Sequence, residues 1–122
     1  MKHLFSIAAL LTAHAASALA QAPDVSGTWQ FEVETQIGTG TPTFTFKQDG
    51  GKLSGRYKGQ LGEADVTGSV KGNEVAFTLD ATLEGNSLRI TYTGTVDKDA
   101  MKGIVTFCDL GKGTFKGVRK AP

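Results

Sequence analysis

Hydrophobic and polar side chains alternate along the chain from residue 23 onwards, and no stretch there has the spacing of an amphipathic helix. The alternating segments are short and are separated by Gly, Asn and Asp, a pattern typical of all-β sandwiches and barrels. The pattern predicts eight strands, at residues 27–36, 41–48, 52–60, 63–71, 74–84, 87–97, 100–107 and 113–120.

Tight turns connect most of the predicted strands. Gly72-Asn73 and Gly85-Asn86 are predicted to be two-residue hairpin loops, because Gly and Asn readily adopt the positive φ that such loops need. Asp49-Gly50-Gly51 is a slightly longer loop, and Leu61-Gly62 and Lys98-Asp99 are placed from the register of the strands. Because tight hairpins put each strand beside its predecessor, we expect an up-and-down antiparallel meander.

Each predicted strand has one apolar and one polar face. Ile104 and Val118 are apolar exceptions on the polar face and are expected to touch across the last two strands. Since no helix is available to cover the apolar face, the sheet is expected to curl into a small closed barrel; a two-sheet β-sandwich is the alternative. The large side chains predicted to point inward include Trp29, Phe31, Phe44, Phe46, Tyr57, Phe77, Leu88, Ile90, Tyr92, Phe107 and Phe115.

A glycine recurs on the inward face of the strands, at Gly55, Gly68, Gly94, Gly103 and Gly117. The predicted turns set Gly55 opposite both Phe44 and Gly68. They also set Phe77 opposite both Gly68 and Gly94. On one interpretation these glycines permit the sharp coiling of a small barrel, and phenyl rings fill its lumen. On the other, the glycines line a cavity for a ligand.

The first 22 residues have the features of a secretory signal peptide. Lys2 is followed by an apolar run at residues 4–11, and Ala18-Leu19-Ala20 and Ala20-Gln21-Ala22 are two small-x-small cleavage sites. We therefore divide the chain into a signal peptide, residues 1–22, and a single β-barrel domain, residues 23–122. The expected destination is the periplasm or the medium.

Composition narrows the classes of function. Lys and Arg number 13 including Lys2, and Asp and Glu number 12, so residues 23–122 carry no net charge. A neutral chain has no general affinity for nucleic acid. Both histidines, His3 and His14, lie in the predicted signal peptide, and Cys108 is the only cysteine. Because the usual catalytic triads and zinc sites need His or several Cys, we expect a non-enzyme without metal or cofactor.

The opening of the first predicted strand carries a family resemblance. Ser26-Gly27-Thr28-Trp29, ahead of an eight-stranded meander, resembles the Gly-x-Trp start of calycins, the group that includes lipocalins and avidins. In lipocalins this Trp packs at the closed end of the barrel beneath an Arg near the last strand. The resemblance implies that Arg119 lies over Trp29 as a structural plug. Leu53-Ser-Gly-Arg-Tyr57 is similar to the Leu-Thr-Gly-x-Tyr of the third avidin strand.

The residues that serve avidins as a ligand site are different here. Avidins hold biotin with several tryptophans, whereas this chain has Trp29 alone, and Phe31 stands where avidins have a polar residue. Biotin is therefore not the expected ligand. Over nearly all of residues 23–122 the chain resembles short exported bacterial proteins of unassigned function, which share the Thr-Pro-Thr strand, the Lys-Gln-Asp-Gly turn and the repeated Thr-Gly-x-Val.

The two ends of the predicted barrel differ. Both termini lie at one end, and loops 36–41, 61–62, 85–86 and 108–112 lie at the other, where Ile37, Leu61, Leu83 and Leu110 are expected to form the rim. Eight-stranded barrels either hold one small ligand or are filled by side chains. Any pocket here is expected to open at that second end. The candidate ligand-binding residues are Tyr57, Tyr92, Phe31, Leu83 and Leu88. The tyrosine hydroxyls either contact the ligand or bond to backbone and water.

The leading functional hypothesis is a binding module for a small apolar or amphipathic ligand or for a protein partner. The alternative is a structural or accessory envelope protein with a filled barrel and no ligand. A membrane-spanning barrel is disfavoured, because its outward face would have to be apolar and the chain ends in Lys120-Ala121-Pro122 rather than in an aromatic residue.

Overall fold

The alternating segments form antiparallel strands along almost the whole described chain. The computed structural model describes residues 23–36, 38–107 and 111–120, and within them there is no helix. The predicted signal peptide, Ile37, Cys108 and Leu110 lie outside the described residues. The strands are β1 (Gly27–Thr35), β2 (Gly38–Gly40), β3 (Thr43–Asp49), β4 (Lys52–Gly59), β5 (Gly62–Lys71), β6 (Glu74–Leu83), β7 (Asn86–Asp97), β8 (Ala100–Thr106) and β9 (Lys112–Arg119).

The sheet closes on itself. From β3 onwards each strand pairs with the next one along the chain, and β1 pairs with β3 on one side and β9 on the other. The β1–β9 pairing extends from Trp29 opposite Arg119 to Thr35 opposite Gly113. A continuous ring of pairing is a barrel, so the predicted closed meander is confirmed and the sandwich alternative is wrong. Closure also leaves no long strand edge open to aggregation.

The second predicted strand is longer than expected and is interrupted at Thr41-Pro42. Both halves share one register against β1, since Val33 lies opposite Gly40 in β2 and Gln30 lies opposite Thr43 in β3. Pro42 has no N–H to donate to the ladder, but its carbonyl oxygen accepts a hydrogen bond from the Phe31 N–H at 2.9 Å. β2 and β3 therefore act as one strand of an eight-stranded barrel, and the connection before β2 is shorter than the predicted loop 36–41.

Three hairpins differ from the predicted register by two residues. Gly55 lies opposite Phe46 and Val66, not opposite Phe44 and Gly68. Likewise Gly94 lies opposite Val75 rather than Phe77. The predicted pairing of Phe77 with Gly68 is present.

The cause is the position of each turn. Within the predicted Asp49-Gly50-Gly51 loop, the turn residues are Gly50-Gly51, since Asp49 pairs with Lys52. Gln60-Leu61 and Glu84-Gly85 form the other two turns, each one residue before its predicted place. In the last of them Glu84 and Gly85 both have positive φ, 53° and 82°, as a two-residue hairpin loop with right-handed strand twist requires. Moving a turn by one residue shifts the partner by two, so every side chain keeps its predicted face.

The lumen is filled mainly by aromatic rings. Phe77 stacks on Tyr92 with ring centroids 4.9 Å apart, and Phe31 stacks on Phe115 at 5.2 Å. No charged side chain is buried among the described residues. The buried aromatic residues are Trp29, Phe31, Phe44, Phe46, Tyr57, Phe77, Tyr92 and Phe115.

The inward glycines stand where neighbouring strands come very close. A Cβ at Gly103 would overlap the Thr93 carbonyl oxygen, and one at Gly94 would overlap that of Lys102. At Gly117 the added atom would meet the Phe31 ring. These contacts favour the first interpretation of the glycines, in which they permit close strand approach beneath aromatic rings.

The outer face is polar and carries ion pairs between neighbouring strands. In one of them, Arg89 Nε lies 3.0 Å from Asp80 Oδ1. Ile104 and Val118 remain 49% and 57% exposed there. Ile104 lies opposite Thr114 and Val118 lies opposite Ala100, so the expected pairing of these two apolar residues is wrong. No helix long and apolar enough to cross a membrane occurs in the described residues.

Candidate functional site

One end of the barrel, which we call the closed end, is sealed by the segment that precedes β1. Val25 is fully buried, and its carbonyl oxygen accepts a hydrogen bond from Trp29 Nε1 at 2.9 Å. Gln48 fastens this segment from β3, because its Oε1 accepts from the Val25 N–H at 2.8 Å and its Nε2 donates to the Pro23 carbonyl at 3.1 Å. The polar groups of the crossing segment are thereby satisfied.

Arg119 covers the outside of the closed end. Its guanidinium carbon lies 4.8 Å from the centroid of the Trp29 ring, which is the contact predicted from the resemblance to calycins. Arg119 Nη1 donates to the Ser26 carbonyl at 2.6 Å, and Nε pairs with Asp99 Oδ1 at 2.8 Å. A cation over an indole face is attracted by the ring quadrupole. These contacts leave little room for a ligand at this end.

The opposite end, which we call the loop end, is where β1, β4, β6 and β8 finish. A cavity of about 170 Å³ lies there. The hairpin of β1 and β2 stands on one side, and the Gln60-Leu61 turn stands nearby. The described residues that line the cavity are Val33, Thr35, Gly38, Thr39, Gly40, Thr41, Pro42, Tyr57, Gln60, Leu61, Ile90, Tyr92 and Phe107.

The two tyrosines form the polar part of the cavity wall. Tyr57 projects inward from β4, and its hydroxyl accepts a hydrogen bond from the Leu61 N–H at 3.4 Å. Burial raises the pKa of Tyr57, although the bond from Leu61 partly opposes that rise. Burial also raises the pKa of Tyr92 well above its usual value, and the neighbouring Tyr57 adds to it. Both phenols therefore stay neutral at physiological pH.

The Tyr92 hydroxyl differs from that of Tyr57. Tyr92 is only 2% exposed, yet within the described part of the chain its hydroxyl has no hydrogen-bond partner. Every fully buried side-chain nitrogen or oxygen of those residues has one. The hydroxyl must therefore retain some exposed surface, and the cavity that Tyr92 lines is the place where it does so.

No charged side chain is found among the described residues that line the cavity. Its wall combines aliphatic and aromatic surface with neutral polar groups from Gln60, three threonines and the two phenols. Such a lining suits a neutral ligand, because a buried charge without a partner is costly. The described residues also contain no group of three or more His, Cys, Asp or Glu able to hold a metal ion.

The structure brings together only part of the candidate set. Tyr57 and Tyr92 line the cavity, whereas Phe31 lies in the centre of the lumen, 4.5 Å from Phe44 between ring centroids. Leu88 is partly buried against the core and does not line the cavity. Leu83 ends β6, and its side chain lies outside what the structure describes.

Sequence reasoning missed several cavity residues. Ile90 and Phe107 were assigned the correct inward face but were not singled out for the site. Residues 38–40 were taken as part of the loop 36–41, although they form β2, which brings its backbone to the cavity. The register that identifies this strand, with β1 paired on both sides of Pro42, is visible only in the structure.

Two larger depressions lie on the outer surface around β8 and β9, with volumes of about 590 and 770 Å³. Both are lined by Lys102, Lys116 and Glu32, and by glycines that lack a side chain, Gly117 in the first and Gly103 in the second. They are more open than the cavity at the loop end. Their linings mix side chains of both charges with apolar surface, including that of Val118 in one and Ile104 in the other.

Comparisons with known proteins show the architecture and no more. No protein-family model matches the chain, and no curated protein matches it. A de novo designed fluorescence-activating β-barrel is similar in structure, with a TM-score of 0.59 and 19% sequence identity over 78% of this chain and 93% of the designed one. Because the sequence identity is so low, the similarity concerns the fold alone, a small closed β-barrel.

Proposed function

We propose that this protein is a non-catalytic binding module that takes a small, mainly apolar ligand into the cavity at the loop end. The observation that carries the proposal is the contrast between the two ends of the barrel. The closed end is sealed by Val25, Trp29 and Arg119, whereas the loop end holds a cavity with a nearly buried hydroxyl that has no partner among the described residues. Ligand sites typically combine apolar walls with a few polar groups of this kind.

The volume limits the size of the ligand. A cavity of about 170 Å³ is close to the engineered apolar cavities of about 150 Å³ that bind benzene, and well below the roughly 300–1,000 Å³ of drug-sized sites. The ligand is therefore about the size of one ring. Its affinity is bounded by the roughly 1.5 kcal/mol per non-hydrogen atom that the best small ligands reach.

The filled lumen favours one alternative, a structural or accessory envelope protein without a ligand. Phe77 contacts the rings of Phe31, Phe46 and Tyr92 at centroid distances of 6.1, 5.0 and 4.9 Å, so the middle of the barrel is solid. A ligand has room only above this cluster. Binding to the purified protein separates the two functions.

The direct test is ligand-observed NMR with toluene and phenol. We expect both to bind the parent protein and to be displaced by each other. Leu61→Trp places an indole at the cavity wall and is expected to abolish binding, whereas the matched variant Ile104→Trp adds the same ring to the outer surface and should bind as the parent does. No binding by the folded parent, or equal binding by both variants, would contradict the proposal.

We also propose that the chain works outside the cytoplasm after removal of residues 1–22. The support is the Lys2 and apolar-run pattern together with the two small-x-small sites. Amino-terminal sequencing of protein recovered from the periplasm or medium without detergent should start after Ala20 or Ala22. Native mass spectrometry of the same sample would reveal a co-purifying small molecule or protein partner. Recovery only in detergent, with an intact amino terminus, would contradict export.

A further inference from the structure

We infer that the cavity at the loop end selects neutral, single-ring compounds that carry a hydrogen-bond acceptor, such as an aryl ketone or aldehyde, and that the Tyr92 hydroxyl is the donor. This inference rests on the proposed function and adds to it the chemical class of the ligand and the residue that recognises it.

The donor follows from the contrast between the two phenols. The Tyr57 oxygen accepts a hydrogen bond from the Leu61 N–H at 3.4 Å at the Gln60-Leu61 turn. Its own O–H stays free to donate, but burial raises the pKa of Tyr57 less than that of Tyr92, so the Tyr57 hydroxyl lies in the wetter position. The Tyr92 hydroxyl has no such bond within the described residues, and the side chain is 2% exposed. A polar group in that position is unsatisfied unless something in the cavity pairs with it.

Tyr92 keeps its hydroxyl proton and can therefore donate a hydrogen bond to a ligand. Burial holds the pKa of Tyr92 well above its usual value, so the O–H is intact throughout the physiological range. A ligand that presents a carbonyl or ether oxygen can accept this hydrogen. A pure hydrocarbon of the same shape would fill the cavity and leave the hydroxyl without a partner.

Charge and shape set the other limits. Because no Lys, Arg, Asp or Glu is among the described lining residues, a carboxylate or an ammonium group would lose its water without gaining a counter-charge. The side chains of Tyr57, Tyr92 and Phe107 supply aromatic wall, which suits the edge and face contacts of one further ring. Fatty acids are excluded by both charge and length.

Three probes with the same number of non-hydrogen atoms test the inference by NMR titration. Acetophenone carries the acceptor, α-methylstyrene replaces its carbonyl oxygen with a methylene group, and benzoate carries a charge. We expect acetophenone to bind the parent roughly 2- to 10-fold more tightly than α-methylstyrene, as one net hydrogen bond allows. Benzoate should not bind.

Variants assign the preference to one hydroxyl. Tyr92→Phe is expected to bring acetophenone down to the affinity of α-methylstyrene and to leave α-methylstyrene within about twofold of its parent value. Tyr57→Phe is the matched control, because it makes the same deletion in the same cavity at a hydroxyl already bonded to Leu61, and it should keep the preference. The thermal transition of each variant checks that the barrel is folded.

The outcomes separate the inference from the proposed function. Equal binding of acetophenone and α-methylstyrene to the parent, tight binding of benzoate, or an unchanged preference in folded Tyr92→Phe would each overturn the inference and leave a ligand cavity in place. If the folded parent binds neither neutral probe, the proposed function fails as well.

Discussion

Replacing Phe77 by Ala tests whether the aromatic cluster supports the barrel. Phe77 projects from β6 into the centre of the lumen and is 1% exposed. Its ring lies 4.9 Å from Tyr92, 5.0 Å from Phe46 and 5.4 Å from Phe44 between centroids. The rings of Phe31 on β1 and Phe115 on β9 lie 6.1 and 6.3 Å from it across the lumen, so its loss should affect strands on both sides of the barrel.

Two contributions set the size of the effect. Burial of a phenyl side chain stabilises a fold by about 1.5–3 kcal/mol. A residual cavity of about 100 Å³ would cost a further ~2 kcal/mol at about 24 cal/mol per Å³. The surrounding rings are fixed by their own strands and cannot collapse into the space, so we expect a loss of about 4 kcal/mol, within the roughly 3–5 kcal/mol seen for such changes. For a domain of this size the thermal midpoint should fall by roughly 15–30 °C.

Urea unfolding followed by tryptophan fluorescence measures the change, because Trp29 is the only tryptophan. Ile104→Ala is the control, since that side chain is half exposed on the outer face and should change the free energy of unfolding by at most about 0.5 kcal/mol. If Phe77→Ala does not fold, Phe77→Leu, which removes less volume, should lie between the two. Equal midpoints for Phe77→Ala and Ile104→Ala would refute the filled lumen.

Three further predictions concern the glycines, the closed end and alkaline pH. Gly103→Ala should be strongly destabilising in thermal unfolding, because its Cβ would overlap backbone, whereas Gly40→Ala, whose nearest neighbour would be a side-chain atom at 3.5 Å, should be tolerated; similar melting of the two would argue against close strand approach. Arg119→Met should cost about 1–3 kcal/mol and shift tryptophan emission, as the cation–π contact and its hydrogen bonds are lost; unchanged emission and stability would contradict this role. Because the pKa values of Tyr57 and Tyr92 are raised in the fold, the unfolded chain releases these protons first above about pH 10, and the free energy of unfolding should fall there by up to about 1.4 kcal/mol per pH unit for each phenol. Urea unfolding midpoints of the parent and of the Tyr57→Phe and Tyr92→Phe variants, measured above pH 10, check this loss of stability. If both tyrosines of the folded protein ionise near pH 10, as judged by tyrosinate absorbance, the prediction is contradicted.

Strand number, order and facing were predictable because they depend on side-chain alternation. Phe44, Phe77 and Tyr92 are inside and their polar neighbours are outside, as the period of two requires. Register was less accessible, since it depends on which residues of a glycine-containing segment take the turn. Glu84 adopts positive φ beside Gly85, although sequence preference favoured the Gly85-Asn86 pair.

For the candidate site, the sequence was enough to predict the end of the barrel at which a cavity opens and the two tyrosines that line it. Tyr57 and Tyr92 were found from inward parity near the loop end, and both line the cavity. The alternation of side chains predicts which residues face inward, but it does not predict how far along the barrel axis each one lies. Phe31 therefore shares its face with the cavity residues yet sits among the central rings, and the cavity position on β7 belongs to Ile90 rather than Leu88.

The pairing of β1 with β9 has a consequence for the timing of folding. Arg119 caps the closed end by bonding to Ser26, a residue 93 positions away along the chain. A nascent chain that still lacks β9 has bare edges on β1 and β8 and an uncapped indole, so cooperative closure must wait for the last strand. Such long-range closure is slow compared with local pairing, which would suit the export that we propose.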